Sequence, residues 1–149
     1  MTTESLKDQK DPRKEYRFPV PFENHFHAGL YQLGEVRADT EYTGDPNRVG
    51  PHKRDPVTGL LQWKITVSDP AVRNARRASY EITLLANEEP VPTTAEIGNN
   101  LRPITLTDVT LQPRTAGQNE FKYLDYTVRA TGYAPAPGPR SSGSAAKSA

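Results

Sequence analysis

The chain has 149 residues, with 19 Lys and Arg against 18 Asp and Glu for a formal charge of +1, and no cysteine. That is one domain's length, and so even a charge balance singles out no strongly electrostatic partner. The lack of cysteine excludes disulfides, thiolate zinc sites and thiol nucleophiles, and no apolar run nears the ~18 residues of a membrane span.

Residues 1–17 interleave Lys7, Lys10, Arg13, Lys14 and Arg17 with Glu4, Asp8, Asp11 and Glu15. Such a mixture buries too little to offset the entropy of ordering, so a disordered arm is predicted. It also lacks the apolar stretch of a signal peptide, and the protein reads as cytoplasmic. The run Phe18-Pro19-Val20-Pro21-Phe22 is extended by proline geometry, with its two phenylalanines securing the start of the domain. His25 and His27 fall on one side of an extended chain, but no third ligand lies near and no metal is expected. A first strand follows at 28–38, bent at Gly34, where the alternation changes register. Residues 39–54 lose all periodicity and carry Gly44, Pro46, Gly50 and Pro51. This long loop ends in a basic cluster, Arg48, His52, Lys53 and Arg54, suited to phosphate contact.

The cleanest pattern lies just beyond. Asp55-Pro56-Val57-Thr58-Gly59 is turn chemistry, and after it Leu61, Trp63, Ile65 and Val67 alternate with Gln62, Lys64, Thr66 and Ser68. That is a half-buried strand with Trp63 on the core side. Asp69 and Pro70 suit the start of a short helical turn, which would carry Arg73, Arg76 and Arg77 to a hairpin tip. Arginine is the side chain best shaped for bidentate phosphate contact. A third strand over 78–86 puts Tyr80, Ile82, Leu84 and Ala86 on one face and is predicted to pair antiparallel with the second.

Residues 87–100 hold Pro90, Pro92 and a Gly98-Asn99-Asn100 turn, with a helical turn placed at Ala95-Glu96-Ile97. In 101–114 the apolar phase shifts from Ile104 and Leu106 to Val109 and Leu111, the mark of a bulge near Thr107 or Asp108. After a hairpin loop at 115–120, a fifth strand over 121–133 turns Leu124, Tyr126, Val128 and Ala130 inward and shows Lys122 or Tyr123 and Arg129. Residues 134–149 form a Pro/Ala/Gly/Ser tail predicted to be disordered. The expected fold is all-β: a small five-stranded Greek-key barrel of the OB type over 18–133, with a small β-sandwich or SH3-like barrel as alternatives.

Several segments taken together carry a resemblance. PVPFENHFHAGLYQLGEV, the DPVTGLLQW block, Pro90-Val91-Pro92, Val109-Thr110-Leu111-Gln112-Pro113 and Tyr126-Thr127-Val128-Arg129-Ala130-Thr131-Gly132 resemble the replication, integration and excision activator family of actinobacterial integrative plasmids. The likeness spans about 18–133 and lies in the order and spacing of the segments. The last two strands are similar, more loosely, to OB-type single-stranded-DNA-binding accessory proteins of conjugative elements. The chain departs from the activator family in its insert at 44–51 and at Leu61, where proline is commoner.

The resemblance implies a non-enzymatic accessory protein for replication, excision or transfer of a mobile element, with single-stranded DNA as its partner. Such binding needs a basic groove and exposed aromatic rings. The candidates are Lys53, Arg54, Lys64, Arg73, Arg76, Arg77, Lys122 and Arg129, with Tyr123 as the exposed ring. The alternative is a regulatory activator acting through contact with a replication initiator or recombinase. A duplex reader is disfavoured, because no helix-turn-helix or zinc module is present. No nucleophile with its base, carboxylate pair or metal triad stands out, so neither catalysis nor a cofactor is expected.

Overall fold

The computed structural model describes residues 16–135, so the expected arm and tail lie outside it except for Tyr16, Arg17, Ala134 and Pro135. Its elements are β1 (Phe18–Pro19), the single helical turn α1 (Phe22–His25), β2 (Tyr31–Ala38), β3 (Gln62–Ser68), β4 (Ser79–Leu85), β5 (Leu101–Pro103), β6 (Leu106–Thr107), β7 (Thr110–Ala116), β8 (Tyr123–Ala130) and β9 (Gly132–Tyr133). Short 3-10 turns occupy Ala75–Arg77 and Asn119–Phe121. The protein is a small β domain.

Seven strands form one mixed sheet in the order β1-β7-β8-β4-β3-β2-β5, while β6 and β9 pair separately. β4 and β8 run parallel; every other neighbouring pair is antiparallel. Period-two alternation sends Ile65 and Val67 of β3, Ile82 and Leu84 of β4, Leu111 of β7, and Val128 and Ala130 of β8 to one face. There they form the core with Phe26, Leu30, Ile104, Leu106 and Val109. Trp63 packs against this core, and its indole N–H donates to the Ala86 carbonyl at 2.8 Å. The polar end of the indole is thereby satisfied.

Second and third strands pair antiparallel as the alternation requires, in unbroken register from Gln62↔Leu85 to Ser68↔Ser79. The bend in the first strand is also present: the register of β2 against β3 shifts between Leu33 and Arg37, and Gly34 has φ +76°. The Gly98-Asn99-Asn100 turn forms as a tight hairpin with positive φ at both asparagines.

Other expectations are corrected. The hydrogen-bonded sheet is not a closed five-stranded barrel; it has seven strands, with β1 and β5 at its edges. The cause lies in 101–114, which is three short strands rather than one. Asp108 takes φ +51°, and the Thr105 and Thr107 carbonyls accept from the Ala134 and Thr131 amides instead of continuing the main ladder. The bulge expected near Thr107 or Asp108 is thus a full break.

The histidine pair is not on an extended strand, because His25 ends α1 and Phe26, buried, caps it. No helical turn forms at Ala95-Glu96-Ile97, where the Ile97 amide instead bonds to the Leu101 carbonyl at 2.7 Å. Phe22 packs on the core, but Phe18 is exposed and joins the sheet only through its backbone beside Leu111. Leu124, expected inside, is 65% exposed because the β7–β8 hairpin projects past the core.

Arg17, placed by its neighbours in the arm, is anchored. Its guanidinium donates to both oxygens of Asp55 at 2.8 and 2.7 Å, and Asp55 is 1% exposed. The same carboxylate accepts from the Thr58 amide and hydroxyl, while the Gly59 amide bonds to the Asp55 carbonyl with Gly59 at φ +78°. The turn read from the sequence is therefore also a buried clamp.

Candidate nucleic-acid interface

Residues in register on neighbouring strands point to the same side of a sheet. On the face away from the core, Arg37, Lys64, Thr83, Arg129 and Thr110 form one row across β2, β3, β4, β8 and β7. On the side of that row nearer the β7–β8 hairpin tip, β3 and β4 carry Thr66 and Glu81, and β7 and β8 carry Gln112 and Thr127. Arg114 and Asp125 sit one step beyond on β7 and β8. This outer wall carries threonines and cations, with Gln112 and the carboxylates of Glu81 and Asp125 among them.

The cations are held in place. Glu81 accepts from Arg37 at 2.6 Å and pairs with Lys64 at 3.2 Å, Arg114 pairs with Asp125 at 2.7 Å, and Arg129 donates to the Gln112 side chain at 2.7 Å. Exposed pairs of this kind are each worth under about 1 kcal/mol. They orient the basic groups and cost little to break.

Below the row the sheet parts. β4 and β8 share only the pairs Thr83↔Arg129 and Leu84↔Ala130, and beyond them a groove of about 810 Å³ opens between the strands. It is flanked by the loop after β3, where Asp69 does not start a helix. Asp69 Oδ1 accepts from the Ala71 amide at 3.1 Å and Oδ2 from the Tyr80 hydroxyl at 2.7 Å. The helical turn comes later, at Ala75–Arg77, with the Asn74 side chain accepting from the Arg76 amide. That turn sets Arg77 over the ring of Tyr123, 4.2 Å from its centroid, a cation–π contact at the groove's mouth.

Burial pushes the Tyr80 hydroxyl well above its ordinary range, and the hydrogen bond to Asp69 and the charge of Asp69 add to it. Burial lowers the His25 imidazole, an effect the charge of Asp69 opposes and His27 reinforces. The groove floor at neutral pH therefore offers a phenol and an uncharged imidazole.

The predicted site residues separate into groups. Lys64, Arg76, Arg77 and Tyr123 line the groove, and Arg129 lies on the adjoining row. Arg73 is exposed in the flanking loop, and Lys122 adjoins Tyr123 at the start of β8. Lys53 and Arg54 are elsewhere: they adjoin the other end of β3, a strand of seven residues or roughly 20 Å. There Lys53 pairs with Asp39 at 3.8 Å and Arg54 donates to the Gly59 carbonyl at 2.8 Å. His52, from the same basic cluster, lies edge-on to Trp63 and donates from Nε2 to the Gln62 carbonyl.

Sequence reasoning missed Arg37, Arg114, His25 and Tyr126. Arg114 was within reach, since it occupies an outward phase opposite Leu111. Arg37 keeps the outward phase of Leu33, because the shift between them adds two residues to β2, but its place beside Lys64 is set by that shift, and His25 reaches the groove through the unexpected turn α1.

No protein-family model, curated protein or solved structure matches the chain. Among the described residues no helix is long and apolar enough to cross a membrane, and no group of three or more His, Asp or Glu is placed to hold a metal ion.

Proposed function

We propose that this protein binds single-stranded DNA on the outer face of an OB-type sheet, as a non-enzymatic accessory factor in replication, excision or transfer of a mobile element. The observation that carries the binding surface is the row Arg37, Lys64, Thr83 and Arg129 running beside the Arg77–Tyr123 pair at the groove. A single strand needs cations for its backbone and an aromatic ring for its bases, each stacked base being worth about 1 to 3 kcal/mol. The cellular role follows from the resemblance to the plasmid activator family.

Strand order supports the OB element of this reading. Counting β2, β3, β4, β7 and β8 as first to fifth, the sheet runs fourth, fifth, third, second, first, with only the third and fifth parallel. The stretch from β5 to β7 also touches both sides, through β5 on β2 and β7 on β8. A Greek-key barrel is built from such a path.

Fluorescence anisotropy of labelled oligo-dT against a duplex of the same length, at two salt concentrations, tests the function. Affinity for the single strand is expected near or weaker than about 1 μM and to fall steeply with salt. Equal silence toward both probes at low salt removes the reading.

The regulatory alternative draws on one feature, the projecting hairpin tip, where Phe121 is 76% and Leu124 65% exposed. Paired apolar side chains at a tip suit a protein contact. Nuclease-treated pull-downs with the element's initiator or recombinase, lost on Phe121→Ser, would favour it.

A further inference from the structure

Toward Ser79 and Tyr123 the two strands run on without a ladder between them, so both faces of each open into one space. That is why residues of opposite phase, Tyr80 and Glu81 of β4, or Asp125 and Tyr126 of β8, line the same groove. A continuous sheet exposes only one phase on each side. The groove therefore has depth as well as length.

Its chemistry is sorted by that depth. Arg76, Arg77 and Arg114 stand around the mouth together with Glu81 and with Asp125, the partner of Arg114, and Tyr123 below Arg77 keeps 36% of its surface exposed. The floor holds His25, Tyr80 and Tyr126, with the His25 and Tyr126 rings 6.3 Å apart. Asp69 beside them is 5% exposed and accepts from Tyr80. Phosphate backbone alone is bound by cations at a surface and needs no such floor. A flat ring carrying an anion uses both layers. The volume, about 810 Å³, lies in the range of roughly 300 to 1,000 Å³ usual for small-ligand sites.

We propose that this cleft takes one nucleotide, its base entering between β4 and β8 along Tyr123 and its phosphate held at the mouth by Arg76 and Arg114. Where the nucleotide belongs to a strand, the inference rests on the reading of the outer face as a single-strand surface; where it is free, it does not. Entry also separates single strands from duplex. A base in a single strand is available at once, whereas a paired base must first be extruded at a cost of a few kcal/mol.

Amide spectra of the 15N-labelled full chain, titrated with thymidine 5′-monophosphate and separately with a dT oligomer, test this. Both ligands are expected to shift Tyr80, Asp125 and Thr127, with the oligomer also moving Arg37 and Arg129, which lie on the row outside the groove lining, and neither moving Lys53. Tyr123→Ala is expected to weaken the mononucleotide about tenfold, the loss of one stacked base, and Tyr123→Phe to restore it. Arg76→Ala should weaken thymidine monophosphate while leaving unphosphorylated thymidine unchanged. Oligomer shifts confined to Arg37, Thr110 and Arg129, with the cleft unmoved by either ligand, overturn the cleft and leave strand binding standing. Cleft shifts with the mononucleotide beside a silent oligomer keep the cleft and overturn strand binding. Silence with both ligands overturns both.

Discussion

Asp55 shows how far a single side chain reaches in this fold. The Arg17 guanidinium, opposed by burial and helped by Thr58, holds its carboxyl down from 3.8 to about 2. A depressed acid contributes stability that is fully present above its unfolded value and lost as pH falls through the folded one. Here that window runs from about pH 4 down to about pH 2, and the shift amounts to roughly 2 kcal/mol. Arg17→Leu leaves a buried carboxylate without its partner and is expected to cost about 3 kcal/mol at pH 7 in urea unfolding. The gap from the parent should shrink as pH drops from 4 to 2; a gap that stays constant would mean the pair is not the source. Only half of this clamp was legible in the sequence. The turn chemistry of Asp55, Thr58 and Gly59 is local and leaves a local pattern, whereas the ion pair joins residues 38 apart and leaves none.

At the level of elements, alternation served wherever both faces of a strand met constant surroundings. β3 follows it from Trp63 to Val67 and β4 from Tyr80 to Leu84, where one face meets the core, while Leu85, of outward phase, is buried as well. It failed for Leu124, whose inward phase is correct but whose strand has already left the core, and for 101–114, where the ladder changes partners twice. The hairpin before β5 makes that change possible. Asn99 and Asn100 take φ +53° and +59°, and the Asn100 carbonyl accepts from the Gly34 amide at 2.9 Å, stitching the turn to the bulge of β2. Asn100→Val forces a β-branched residue into left-handed backbone and should cost about 1 to 2 kcal/mol. Asn100→Gly keeps the conformation and should be neutral or mildly stabilising in the same thermal melts. Equal effects from the two would show that backbone conformation is not what the turn depends on.

Over the whole molecule the near-neutral charge conceals an uneven distribution, and that is why net charge said nothing about a partner. On the outer face and around the groove stand Arg37, Lys64, Arg76, Arg77, Arg114 and Arg129, against the carboxylates of Asp69, Glu81 and Asp125. The outward phase of Lys64 and Arg129 could be read from the sequence, but their gathering with Arg76 and Arg77 depends on a parallel β4–β8 contact between distant strands. Glu81 sits at the centre of this balance, bound to both Arg37 and Lys64. A phosphate arriving on that row must displace it, so part of the attraction is spent on breaking exposed ion pairs. Glu81→Gln removes the competitor while keeping the shape. It should tighten oligo-dT binding about threefold at low salt and steepen the log affinity against log salt plot by about 0.7, the increment for one further phosphate contact on a single strand. Lys64→Ala should do the opposite on both counts, and Lys53→Ala, at the far end of β3, should do neither. A strand that binds equally well to all three variants is not lying on this face of the sheet.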